Sequence, residues 1–200
     1  MSELLAFAWL GFRHIVDVSA GDHILFLLAL AVIYRGSDWR DALWVISAFT
    51  VGHSITLALA ASNVIQPSRP IVEFLIPLTI LATAIENIAV RDHRQSRWRH
   101  YRPLFAGLFG LIHGAGFAGY LKSVFMDRIA VPLLGFNIGV ELGQIVVLLA
   151  IALALALFDA ALRKAQAHAQ RPTLFRVRAV GLSALIALIA TGWAVQRQPW

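Results

Sequence analysis

The 200-residue sequence contains no cysteine. Disulfide scaffolds, thiolate zinc sites, iron–sulfur clusters and a cysteine nucleophile are thereby excluded, and any metal must be held by nitrogen and oxygen. Charge is scarce too: 14% of residues are charged against 59% hydrophobic, with a mean hydropathy of +0.73. That balance is too apolar for an ordinary soluble domain. Nothing matches a P-loop, so direct ATP hydrolysis is not indicated, and no HExxH pair supplies a compact zinc-hydrolase motif. Internal repeats, low-complexity tracts and a separate soluble domain are also missing. The net charge of +6 does not imply a nucleic-acid partner, because the basic residues sit between apolar runs and read as membrane topology.

What the sequence does have is a series of apolar runs bounded by charge or proline. They predict spans near 18–35, 43–64, 70–90, 103–121, 131–158 and 177–196. The expected fold is all-α: a single integral membrane domain over 1–200, a polytopic bundle of about six spans in the lipid bilayer. The stretch 3–16 carries Arg13, His14 and Asp17, so it reads as an extra N-terminal half-helix or interfacial segment. Glu3 stands where a secretory signal would have a basic n-region, which predicts that this end is retained.

The loops 35–42, 91–102 and 159–178 hold Arg35 and Arg40, then Arg91, Arg94, Arg97, Arg99 and Arg102, then Arg163, Lys164, Arg171, Arg176 and Arg178. Arg13, Arg69, Lys122, Arg128 and Arg197 remain for the other side. The bias places the three richer loops in the cytoplasm and both termini outside, as in a bacterial inner (plasma) membrane. Trp39, Trp44, Trp98, Trp193 and Trp200 lie near span ends as interface anchors, and His93, His100 and His168 read as solvated loop residues.

Ionisable residues inside spans cost roughly 2.5–3.5 kcal/mol each on insertion scales, so those that persist face the bundle interior and have partners. Each of the first five spans carries at least one: Asp22 and His23, His53, Glu86, His113, Glu141. The three carboxylates alone imply about 9 kcal/mol to be offset by a cation, by protonation or by pairing. Helical spacing gives them polar neighbours. Asn137, Glu141 and Gln144 form one stripe, Thr79, Thr83, Glu86 and Asn87 share a face, and so do Thr50, His53 and Ser54.

Gly135, Gly139 and Gly143 form a separate small-residue face, and Gly110 and Gly114 flank His113, so that another helix, or a second copy in a homo-oligomer, could approach closely. His23, His53 and His113 with Asp22, Glu86 or Glu141 would suit a divalent transition metal such as nickel, cobalt, zinc or iron, with His14 as a further candidate ligand. One compact site need not include all of them, because Glu86 falls nearer the inner face and Asp22 nearer the outer.

Three functions use these ingredients. The leading one is a permease for a divalent transition-metal ion, not an enzyme. A second is an intramembrane zinc-dependent hydrolase in which Ser54 or Glu141 assists the metal-activated water. A third, a bis-histidine haem protein, needs facing ligand pairs that one histidine per span scarcely provides.

In order, the segments HIVDVSAGDHILFLLAL, FTVGHSITLALA, ENI, FGLIHGAGFA and FNIGVELGQ resemble the signatures of the HupE/UreJ family of membrane proteins, over roughly residues 11–149. The resemblance implies nickel or cobalt uptake, with Asp22, His23, His53, His113 and Glu141 at motif positions and Glu86 with Asn87 at a weaker one. Two features depart from the nickel-permease branch: seven residues separate His14 from Asp22 where that branch has five, and FGLIHGAG has one HG pair in place of two.

Overall fold

The computed structural model describes residues 2–18, 21–34, 38–89, 98–124, 129–165 and 171–200, all in helices and short connections. Seven helices follow in order: α1 (Glu3–Val16), α2 (Gly21–Ala31), α3 (Trp39–Ala61), α4 (Arg69–Ala89), α5 (Trp98–Val124), α6 (Ala130–Ala165) and α7 (Arg171–Gln196). The all-α class stands. Arg35, Arg91, Arg94, Arg97, Arg128, His93 and His168 lie outside the described residues, as do the side chains of Trp98, Arg99, Lys122 and Arg171.

Among the described residues, four helices are long and apolar enough to cross a membrane: α3, α4, α6 and α7. A fifth crossing arises if α1 and α2, bent by 69° at their junction, count as one broken span. The span expected at 18–35 is thus an 11-residue helix, about 16 Å long and too short to cross alone. Asp17 terminates α1, its N–H bonding back to the Arg13 carbonyl at 3.0 Å, and Gly21 opens α2. α5 spans 27 residues, and over its described side chains it falls outside the clearly apolar set.

α3 ends in a Schellman turn. Asn63 takes φ 59°, a left-handed conformation that asparagine tolerates, while the N–H groups of Asn63 and Val64 bond the Ala60 and Leu59 carbonyls at 3.1 and 2.9 Å. Pro70 then sits in the first turn of α4, where its missing N–H costs nothing.

Contacts fix the sense of each helix. α3 and α5 run parallel, since Gly52 meets Gly107 and Gly114 meets His53. α1 and α6 also run parallel, since Gly135 meets Leu4 and Gly139 meets Ala8 and Phe12. Both pairs meet backbone to backbone: a Cβ at Gly139 would overlap the Ala8 carbonyl oxygen, and one at Gly110 the Phe49 carbonyl oxygen. The glycine face of α6 is therefore covered within the chain by α1. Asp22 pairs with Arg197 at one end of α7 while Tyr34 meets Arg178 at the other, so α2 runs opposite to α7. These senses fit α1 and α2 as successive halves of one broken span.

The surface agrees with a lipid environment. α6 turns Ile138, Leu142, Val146, Leu149, Leu153 and Leu157 outward, a continuous apolar stripe that no soluble domain would leave in water. Trp39, Trp44 and Trp200 are exposed near helix ends, as expected of anchors. Trp193 instead packs toward Gly21, with the Arg197 guanidinium 5.3 Å from its ring centre.

Candidate metal site

The last turn of α1 carries His14 and the first turn of α2 carries His23, so the break in the passage brings the two rings to 4.5 Å between centroids. His53 on α3 lies 6.1 Å from His14 and 6.3 Å from His23, and His113 on α5 lies 5.6 Å from His23. Two imidazoles sharing one tetrahedral ion at nitrogen distances of about 2.0–2.1 Å would have centroids about 5 Å apart. The His14–His23 pair lies near that spacing, while the other three separations, at 5.6–6.3 Å, lie beyond it. His14, ambiguous from sequence, belongs to the cluster.

Close packing holds the cluster in place. Gly110 and Gly114 let α5 rest on the backbone of α3 at Phe49 and His53, which seats His113 beside His53. Gly139 and Gly143 do the same for α1 against α6 and set the depth of His14. His53 is 0% and His113 2% exposed. Six of their buried ring nitrogens have no hydrogen-bond partner: Nε2 of His14, both nitrogens of His23 and of His53, and Nδ1 of His113. At about 1–3 kcal/mol for each such group, the cluster costs on the order of 10 kcal/mol unless something binds it. The remaining His113 nitrogen, Nε2, lies 3.1 Å from the Thr79 hydroxyl. As the rings stand, meeting edge-on or tilted, no three His, Asp or Glu side chains among the described residues are grouped closely enough to hold an ion.

Aromatic rings close the cluster on both sides. Phe117 and Phe136, 5.3 Å apart, cover it toward the end that bears Arg197, with Phe117 3.9 Å from His14 and Phe136 stacked on His53 at 6.3 Å. Phe26 and Phe49, 4.9 Å apart, cover it toward the end that bears Tyr34, each 5.1 Å from His113. Beyond Phe117 a cavity of about 570 Å³, lined by Trp9, Arg13, His14 and Asp17 among others, reaches the cluster from outside.

Among the described residues, no hydrogen bond or ion pair joins Asp22, Glu86 or Glu141 to the four histidines. Asp22 is held by Arg197, whose Nη1 stands 3.1 Å from both carboxylate oxygens. Glu86 accepts two bonds from Arg102 at 2.9 and 3.0 Å, and Arg102 also donates to Asn87 and lies over the Tyr34 ring. Arg102 was expected among the loop charges; it is 3% exposed inside the bundle, because a carboxylate within reach stabilises it there. Arg178, likewise assigned to a loop, is buried and pairs with Asp159 at 2.5 Å.

Glu141 differs. It accepts a 2.7 Å bond from Ser47 and has no basic partner among the described residues. One turn further along α6, Gln144 bonds Thr50 at 2.9 Å. Asn137, Gln144 and Glu141 thus line the α3–α6 seam that leads away from His53, and Asn137 Oδ1 and Gln144 Nε2 are buried without partners. Ser54, which a hydrolase would use, donates to the Thr50 carbonyl at 2.6 Å.

Sequence reasoning missed the arginine partners, the two phenylalanine layers and the Thr79 contact. Glu86 near the end of one predicted span and Arg102 near the start of the next stand at one depth, which was the available signal for their pairing. A family model described as HupE / UreJ protein matches residues 1–197. No curated protein and no solved structure matches the chain.

Proposed function

We propose, from the premise that the chain belongs to the HupE/UreJ family of proteins, that it is a permease for a divalent transition-metal ion, with nickel or cobalt the favoured cargo. The observation that carries this reading is the buried four-histidine cluster at the break between α1 and α2, with six partnerless ring nitrogens. Neutral imidazoles are donors for borderline divalent ions, and the Irving–Williams order leaves zinc and iron as competitors that availability and geometry must exclude. Broken helices meeting at a mid-bundle site are a recurrent way to expose donors to an ion without opening a continuous pore.

In this reading the ion arrives from the outer side through the cavity beside His14, passes the Phe117 and Phe136 layer, and is held by rotation of the four rings toward it. Glu141, Gln144 and Asn137 lead it inward along the α3–α6 seam once Phe26 and Phe49 part. Asp22 and Glu86, engaged by Arg197 and Arg102, anchor the two ends of the passage. The membrane potential supplies the drive: two elementary charges gain about 4.6 kcal/mol per 100 mV. The protein then sits in a bacterial inner membrane with both termini outside.

The test is metal influx into liposomes bearing the purified protein, with nickel or cobalt outside and a negative interior potential. Wild type is expected to fill them, and His53→Ala to lose at least about tenfold in rate, the low end of the effect of removing a group that supports a metal site. A folded His53→Ala protein that transports as well as wild type would overturn the proposal.

A further inference from the structure

His113 is the one histidine of the cluster whose ring proton can be placed by counting hydrogens. The Thr79 hydroxyl lies 2.7 Å from the Ile76 carbonyl oxygen and 3.1 Å from His113 Nε2. A carbonyl can only accept, so the single hydroxyl hydrogen of Thr79 is directed to Ile76. The oxygen then has only lone pairs to offer His113, and Nε2 must be the donor. In a neutral imidazole that leaves Nδ1 bare, and Nδ1 is the buried His113 nitrogen with no partner.

We propose that Thr79 is a positioning residue that fixes His113 as its Nε2–H tautomer and so presents Nδ1, not Nε2, to the ion. The inference rests on the permease reading and adds to it which atom of His113 binds. Its logic is that of any metal-bound histidine: the hydrogen bond on one ring nitrogen sets both the tautomer and the aim of the other. Nδ1 is the nitrogen nearer the backbone. A ligand bound there requires the main chain of α5 to come close, which the Gly110 and Gly114 contacts with α3 secure. Thr79 itself is held from the far side of the site, on α4, by its bond to Ile76, and it is 4% exposed, so water does not compete for the hydroxyl. From sequence, Thr79 shared a face with Glu86 and gave no sign of facing His113.

The test uses full-length protein labelled with ¹⁵N-histidine in detergent micelles, with long-range ¹H–¹⁵N spectra and zinc(II) alone as a diamagnetic probe. His113, assigned by the signals missing from His113→Gln, is expected to show a protonated Nε2 and a bare Nδ1, and the Nδ1 resonance is expected to move on adding zinc. Thr79→Val should lose the fixed tautomer and weaken zinc binding about 10- to 100-fold, the usual effect of removing such a partner. Thr79→Ser, which keeps the hydroxyl, should restore both, and a generic packing defect at Thr79 would not produce that pattern of loss and rescue.

A wild-type His113 protonated at Nδ1, or Thr79→Val with unchanged spectrum and affinity, would overturn the inference. If zinc moves Nε2 in place of Nδ1, this inference falls and the permease reading stands. If the Nε2–H tautomer is present and lost in Thr79→Val, yet zinc shifts no histidine resonance, the permease reading falls and the ligand role of His113 with it.

Discussion

Replacing Arg102 by methionine would leave Glu86 as a carboxylate within the bundle with no cation beside it. The guanidinium is 3% exposed and supplies two bonds to Glu86, one to Asn87, and a face to the Tyr34 ring at 5.6 Å. Removing one member of a buried ion pair costs about 3–5 kcal/mol, because the other charge stays desolvated. The Glu86 side chain retains 23% of its exposure, which places the expected loss near 3 kcal/mol. Replacing both members, Arg102→Met with Glu86→Leu, removes the stranded charge and should return the protein to within about 2 kcal/mol of wild type, since apolar substitution of a whole pair is often neutral. Asn87 keeps part of its role in either case, because its Nδ2 still donates to the Ala29 carbonyl at 2.7 Å. The assay is equilibrium unfolding in mixed micelles followed by tryptophan fluorescence, together with metal influx into liposomes. The double variant should still transport, because Glu86 is engaged by Arg102 and not by the histidines. A single variant no less stable than the double would refute the energetic reasoning. A folded double variant that binds and moves no metal would return Glu86 to the ion path.

Two further outcomes separate packing from chemistry. Gly139→Ala puts a methyl onto the Ala8 carbonyl and pushes α1 from α6, so unfolding should show a loss of about 1–3 kcal/mol and His14 should leave the cluster, lowering influx; Gly181→Ala, with open space around its Cβ, should instead gain up to about 1 kcal/mol of helix propensity. Glu141→Gln keeps an acceptor for Ser47 at 2.7 Å and should change stability by less than about 1 kcal/mol while cutting influx at least about tenfold, and unchanged influx would remove Glu141 from the path.

The fold class and the interior positions of His23, His53 and His113 were legible because both rest on local signals; His14 was ambiguous. Apolar length predicts a span, and an ionisable residue inside one predicts an interior position. The glycine faces were legible for the same reason: Gly110 and Gly114 beside His113, and Gly135, Gly139 and Gly143 on α6, do mark backbone contacts. Which helix fills each face was not, since periodicity gives a direction on one helix and says nothing of its neighbour. Arg102 and Arg178 misled because a basic residue at a span end satisfies the topology rule whether it faces water or a carboxylate. The break near residue 18 was legible as the boundary between the 3–16 segment and the span expected at 18–35; the early end of α2 at Ala31 was not, because the apolar run continues past it. The phenylalanine layers carry no sequence signal at all, because Phe26, Phe49, Phe117 and Phe136 look like any core residue until four helices are brought together.

The distribution of satisfied and unsatisfied polar groups bears on where the protein can change shape. Near the ends of the bundle, Asp22, Glu86 and Asp159 each have an arginine, and the insertion cost of these carboxylates is offset locally. At the centre, the histidines and the Asn137 and Gln144 amides carry buried ring and amide atoms that have no hydrogen-bond partner among the described residues. A folded protein retains such a cluster only against selection for stability, and the proposed metal role accounts for its retention. α3 and α5 are joined backbone to backbone, so neither shifts without breaking that contact. α1 is joined to α6 in the same backbone-to-backbone way, so it too shifts alone only by breaking that contact.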